Sequence, residues 1–169
     1  MFTIENEGAE HAAEIDHLMD LAFGPGRFAK TAYRLREGVA QIPALSFVAW
    51  MDAEGGRRFI GSLRFWPVWI GPVAGLMLGP LAVDPTVRGK GGGLALMREG
   101  LEAARKLGYE LVILVGDPAY YAKVGFQPVP PGRLTMPGPV DPARLLYREL
   151  VPGAFEGVSG PIRKFLPSD

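Results

Sequence analysis

Apolar residues recur along the chain in two rhythms, one helical and one of strands, and their order lays out the elements. Ile15, Leu18, Met19 and Ala22 stand at i, i+3, i+4 and i+7, with acids and a histidine at the positions between them, which predicts a first amphipathic helix. A short strand over residues 2 to 5 precedes it. "FGPG" breaks the helix, and Phe28, Ala32 and Leu35 with Arg34 and Arg36 predict a second short helix ending at Gly38. "SFVAWMD", "AEGG" and "RRFIGSLRFWPVWI" then read as two strands joined by a glycine turn, an antiparallel hairpin. "AGLMLGPLAV", residues 74 to 83, is apolar throughout, as in a strand covered on both faces at the centre of a sheet. Pro80 interrupts it. Proline lacks the ladder donor, so a bulge or an opening of the sheet is expected there.

The helical rhythm returns at Leu94, Met97, Leu101 and Ala104, with Arg98, Glu99, Glu102 and Arg105 outward and Gly108 as a stop. "ELVILVG" follows as a second buried strand, so strand, glycine turn, helix and strand form a βαβ crossover. In "DPAYYAKVGF", Asp117 is a cap and Pro118 the first helical position of a short helix with two tyrosines. "RLLYREL", residues 144 to 150, is expected as the last strand. No internal repeat or low-complexity linker divides the chain, and residues 1 to 169 are expected to form a single domain.

"VDPTVRGKGGGLAL", residues 83 to 96, joins the central strand to the amphipathic helix. A linker does not usually connect such elements directly. The first amides of a helix lack intrahelical partners and the macrodipole adds positive character, while glycines let the backbone approach a ligand. Successive amides from Arg88 to Gly93, with the charges of Arg88 and Lys90, therefore suit a phosphate or pyrophosphate. A Walker loop fits poorly, because Gly91 rather than serine or threonine follows Lys90. A dinucleotide G-x-G-x-x-G pattern from Gly89 and Gly91 fails at Leu94 and is preceded by a hairpin, which leaves it a weak alternative.

Arg88, Gly91 and Gly93 fit Q/R-x-x-G-x-G/A, and "LAVDPTVRGKGGGLAL" resembles the acetyl-CoA loop of the GCN5-related N-acetyltransferase (GNAT) superfamily. "LVGDPAYYAKVGF" is similar to the second half of that signature, and "GDPAYY" to a branch of small bacterial acetyltransferases. The resemblance implies an α+β fold of three layers. It has a mixed, mostly antiparallel central sheet, helices on both faces, and fourth and fifth strands that splay apart to admit pantetheine. It implies that backbone groups of Leu81 and Val83, with Ala82 between them, hold the pantetheine arm. An amide near Leu81 would polarise the thioester carbonyl, as an oxyanion hole does. The pyrophosphate is implied to sit on Arg88, Gly89, Lys90, Gly91, Gly92, Gly93 and Leu94. Tyr121, four residues before Gly125, occupies the position of the tyrosine that protonates the leaving thiolate. Tyr120 is expected to point elsewhere and pack.

This sequence departs from the family where many relatives carry an acid on the fourth strand, since "AGLMLGPLAV" has none. The base is therefore unassigned: Glu5, Glu7, Ser62 and Asp117 are candidates, and Asp117 is better explained as a cap. Trp66 and Trp69 either line an acceptor pocket or pack, with packing the expected role. Late basic residues in "RLLYREL" and "GPIRKF" are either surface charges or partners of an anion.

Composition narrows the function classes further. Lysine plus arginine and aspartate plus glutamate number 18 each, so no global field favours nucleic acid or an anionic membrane. The absence of cysteine excludes thiol catalysis, disulfides and cysteine-ligated zinc, favours direct transfer over an acyl-enzyme, and points to the cytoplasm. The acidic start does not resemble a signal or transit peptide. No apolar run approaches the ~20 residues of a membrane-spanning helix. His11 and His17 do not share a helix face, which predicts solvated surface and no metal. The leading expectation is direct, acetyl-CoA-dependent N-acetylation of an amine on a small molecule or peptide. A non-catalytic acyl-CoA sensor is the alternative and a dinucleotide oxidoreductase a distant third. The acceptor is not legible, and a homodimer is left open.

Overall fold

The computed structural model describes residues 1–24 and 31–169. Strand β1 (Phe2–Asn6) leads into helix α1 (Ala12–Phe23), and α2 (Thr31–Arg34) precedes the long hairpin of β2 (Ser46–Ala53) and β3 (Gly56–Ile70). β4 (Val73–Val83), α3 (Gly92–Lys106) and β5 (Leu111–Val115) form the crossover unit. Helix α4 (Pro118–Tyr121) and strands β6 (Gln127–Pro128), β7 (Leu134–Thr135), β8 (Leu145–Glu149) and β9 (Gly160–Lys164) complete the chain. Phe28, expected in the second helix, lies outside the described residues.

The sheet runs β1-β2-β3-β4-β5-β8-β6. Its pairs are antiparallel except β4 with β5, as a helical crossover requires. "RLLYREL" forms β8 but does not end the sheet. β3 is much longer than β2, which pairs only with Gly56 to Arg64, and β9 takes over the same edge at Val68 to Ile70. β7 lies parallel to β9.

Side-chain alternation divides the core between the two faces of the sheet. Leu76, Leu78, Val112 and Leu114 pack with Leu96, Met97, Leu101 and Ala104 of α3. Met77 and Ile113 face the other way, against Leu35 and the C-terminal Phe155, Val158 and Ile162. On that second face Val48 and Ala82 meet Ile15, Leu18 and Met19 of α1. Helices therefore cover both faces. No helix among the described residues is long and apolar enough to cross a membrane.

α3 presses close to the sheet at Gly100, where an added Cβ would lie 2.6 Å from Cε1 of Phe65 and 3.2 Å from Cδ2 of Leu63. Alanine there would gain about 1 kcal/mol of helix propensity. It would also overpack a fully buried ring at a cost of about 1–3 kcal/mol. Gly100→Ala is therefore expected to unfold at lower urea than wild type. A variant more stable than wild type would show that Phe65 gives way without cost.

Candidate active site

The site begins where β4 leaves β5. Their ladder has two register pairs, Leu76 with Val112 and Met77 with Ile113. Beyond these, Gly79 and Pro80 oppose Arg64 alone, because the β3 register jumps from Leu63–Leu81 to Phe65–Leu78. This is a bulge, and the Gly79–Pro80 peptide is cis. The bulge frees the Gly79 carbonyl, which accepts a hydrogen bond of 2.7 Å from Nε1 of Trp66. The Asp84 amide donates to the Ile60 carbonyl at 2.7 Å, so that residue turns toward β3. By strand alternation Ala82 does the same, and Leu81 and Val83 turn their N–H and C=O groups toward the opening. A cleft of about 1470 Å³ fills the gap between the parted strands.

One end of the cleft is the start of α3. Asp84 accepts from the amide of Thr86 and stabilises a short turn, after which Gly91, at φ 94°, caps the helix in the left-handed region. The Arg88 and Lys90 amides donate to Pro85 and Val87 carbonyls within that turn. The amides of Gly89, Gly91, Gly92, Gly93 and Leu94 find no acceptor among the described residues. Four of these five residues follow one another through the first turn of the helix. That arrangement is an anion cradle, charged by the dipole of a four-turn helix and by Arg88 at its rim.

The opposite wall is α4. Asp117 accepts from the Ala119 amide at 3.0 Å and fixes the turn out of β5. The ring of Tyr121 lies directly on Gly116, where any Cβ would collide with it. It meets Tyr120 and Phe126 edge to face, with centroids 5.1 and 6.2 Å away. Burial, with the neighbouring Tyr120, pushes the Tyr121 phenol up to about 12. It is therefore a protonated donor at neutral pH. Tyr120 also reaches the cleft: its hydroxyl stands over Gly93, 2.5 Å from where a Cβ would be. Two tyrosines thus line the wall, where one was expected to point away.

The remaining walls are polar in a particular way. Arg64 is clasped by Glu7 through two hydrogen bonds of 2.9 Å, and Gln41 donates to the same carboxylate at 3.0 Å. Burial alone would raise the Glu7 carboxyl, but the donors and the Arg64 charge outweigh it and hold it below the usual range. Arg36 lies nearby with a terminal nitrogen 3.4 Å from the Cβ position of Gly79 and its guanidinium 6.0 Å from the Trp66 ring centroid. Burial, aided by the Arg64 charge, lowers its pKa to about 10. Asp16 and Met19 of α1 and Tyr33 line the same end.

Of the residues expected to hold a ligand, Leu81, Val83, Arg88, Gly89, Gly91, Gly92, Gly93, Leu94 and Tyr121 line this one cleft. Ala82 does not; its side chain is buried against α1 and its backbone turns to β3. Lys90 is exposed outside the wall. Of the candidate bases, Glu5 is bonded to Trp50 and Arg57, Glu7 is bound to Arg64, and Ser62 is buried in the sheet. Asp117 lines the cleft as a cap. Trp66 is in the cleft wall, whereas Trp69 stacks on Phe165 at 5.0 Å away from it. His11 is not solvated surface: it is 7% exposed, accepts from the Gly8 amide at 2.9 Å and packs between Trp50 and Phe59. No metal-holding group of acids and histidines occurs among the described residues. Arg36 and Asp16 escaped the sequence reading, since one flanks a buried leucine and the other sits among several acids of α1.

A model of the acetyltransferase (GNAT) family matches residues 13–126, the span from α1 through the cradle to the end of the tyrosine wall. The chain belongs to the GNAT family. It is 33% identical over 157 residues to the uncharacterized N-acetyltransferase YhbS of Escherichia coli strain K12, covering 88% of this chain and 87% of that protein. The uncharacterized N-acetyltransferase YjhQ of the same strain is 31% identical over 128 residues, 75% of this chain and 70% of that protein. Among solved GNAT structures, YhbS from Escherichia coli in complex with CoA superposes with a TM-score of 0.79 at 31% identity, covering 97% of this chain and 89% of that one. A family member from Brucella melitensis in complex with acetyl-CoA gives 0.58 at 29% identity, covering 86% and 94%.

The raised phenol sets a test of this GNAT wall. Relative to an unfolded tyrosine near 10, a group that ionises later in the fold stabilises it fully below that pH and loses the contribution as pH climbs toward about 12. Alkaline titration of the five tyrosines by phenolate absorbance is expected to show a last component that disappears in Tyr121→Phe. The same variant should lose less stability than wild type over that pH range. An unchanged titration end would place the buried phenol elsewhere.

Proposed function

We propose that the protein is an acetyl-CoA-dependent N-acetyltransferase that passes acetyl directly to an amine of a small molecule or peptide, the whole chain working as one domain. The observation that carries this reading is the continuity of one cleft from the free amides of α3, along the open edge of β4, to the protonated Tyr121. The coenzyme's pyrophosphate would bind the amides of Gly89 and Gly91 through Leu94, with Arg88 adding charge. Its pantetheine arm would pair with the backbone of Leu81 and Val83 as an added strand. These are the groups the parted sheet leaves without partners, which is why the fit is specific to an extended amide-bearing chain ending in an anion.

In the transfer, the amine nitrogen attacks the thioester carbonyl carbon, the C–S bond breaks, and the departing thiolate takes the Tyr121 proton. The amine must arrive as the free base, and the proton its nitrogen gives up passes through the solvent of the open cleft and restores the Tyr121 phenol. Of the cleft carboxylates, Asp117 and Asp141 each accept a cap from an amide, whereas Asp16 has no hydrogen-bond partner among the described residues. Because the phenol stays protonated up to about 12, the amine sets the pH dependence. The rate should climb to a plateau through the amine's own pKa.

Tyr121→Phe is expected to keep the thermal stabilisation given by acetyl-CoA while kcat for thiol release drops by about 10²–10³. Unchanged turnover across pH would remove Tyr121 as the acid. Stabilisation by NAD and not by acetyl-CoA would overturn the coenzyme reading. A second reading, an acyl-CoA sensor, draws on the absence of any acid on β4; stabilisation by acetyl-CoA with no amine turned over would favour it.

A further inference from the structure

Two arginines face each other's charge at the acceptor end of the cleft, and they are treated differently. Arg64 is neutralised by the two-pronged contact with Glu7. Arg36 has no carboxylate partner among the described residues, and the standing charge that bears on it is that of Arg64, a like charge. Its Nε is buried without any hydrogen-bond partner. The other described cations of that end are spoken for or turned out: Arg34 donates to the Pro137 carbonyl, and Arg144 is exposed at the rim. A half-buried guanidinium at a cleft wall, with its Nε unpartnered and no carboxylate against it among the described residues, favours an anion entering beside it. The fork is also well placed. One terminal nitrogen reaches Gly79, two residues before the Leu81 amide proposed to hold the thioester carbonyl, and the Trp66 ring flanks it.

We propose that Arg36 is the acceptor-recognition residue and that the acceptor is an amine bearing a carboxylate, of the amino-acid class. The assignment rests on the acetyltransferase reading above. A single uncompensated cation matches a monoanion, and a planar guanidinium presents two parallel donors to the two oxygens of a carboxylate. A phosphorylated amine would bring a second charge, and among the described residues of this end the remaining cations, Arg34 and Arg144, are bonded to a carbonyl or exposed at the rim. Asp16 lies on the same cleft from α1, so an acceptor with an ammonium at one end and a carboxylate at the other meets complementary walls. The apolar faces of Met19, Trp66 and Tyr33 leave room for an apolar side chain.

The test measures thiol release from acetyl-CoA with amino acids, their methyl esters, their decarboxylated amines, and phosphoethanolamine, for wild type, Arg36→Met and Arg36→Lys. Wild type is expected to prefer the acid over its ester by about a hundredfold in kcat/KM, the scale of a desolvated charge pair. Arg36→Met should abolish that preference while ester turnover and acetyl-CoA stabilisation persist, and Arg36→Lys should restore part of it. Equal use of acid and ester by wild type, or a preference surviving in Arg36→Met, would overturn the assignment, and a preference for phosphoethanolamine would overturn the choice of carboxylate. A parallel measurement does not need turnover: with CoA bound, N-acetyl amino acids should stabilise wild type more than their amides do, and Arg36→Met equally little by both. Acids and amides acting alike would reject the role of Arg36 even in a protein without activity. Absence of any acetyl-CoA or CoA stabilisation would instead reject the acetyltransferase reading itself.

Discussion

A buried strand must satisfy its backbone, and β4 is paired on one side along its length except at the Gly79–Pro80 bulge but on the other at two register positions. Everything distinctive about the protein follows from how the unpaired remainder is handled. The bulge at Gly79 and Pro80 turns the strand away, and the indole of Trp66 takes the carbonyl it strands. On the far side the Gly116 amide donates to the Arg144 carbonyl at 2.9 Å, closing the end of β5. Beyond the bulge, the β4 groups at Leu81 and Val83 face the opening without a partner among the described residues. A gap in a sheet is costly when dry and useful when it is the shape of a ligand.

The path of the chain then decides what surrounds the gap. β4 runs directly into the turn that starts α3, so the amide-rich end of a long helix stands at one mouth of the opening. β5 runs directly into the Asp117 cap, so a short helix sets tyrosines on the opposite wall. The crossover that makes these strands parallel is also what brings the open amides of α3 and the buried Tyr121 phenol within one cleft. α1 and the segment after α2 close the third side and bring Asp16 and Arg36. Those elements lie outside the crossover and reach the cleft from the N-terminal part of the chain.

What could be read from the sequence was local. The continuous apolar runs of β4 and β5, the glycine turn, the amphipathic α3 and the Asp-Pro start of α4 each carry their own signal, and Pro80 marked the bulge because a missing N–H is visible in one residue. What escaped depends on distant partners. β9 exists because β3 outruns β2, a difference in strand length that no periodicity records. His11 is buried because Trp50 and Phe59 close over it, and its sequence spacing from His17 says nothing of that. Arg36 resembles any surface arginine until Glu7 is seen to choose Arg64 instead. Ala82 was grouped with its neighbours, although strand alternation sends it to the opposite partner.

An interior edge brings a hazard as well as a site. Exposed strand edges invite other polypeptides to pair with them, and natural sheets protect such edges with prolines, bulges and short exposed lengths. The inner edge of β4 has all three: Pro80 has no N–H to offer, the bulge shifts the register beside it, and only a few residues separate the fork at Met77 from the turn at Asp84. A second protein strand entering there would run into the convergence of β4 and β5 before it gained a full ladder. The opening is therefore selective by length, too short to seed a foreign sheet and long enough for a slender arm.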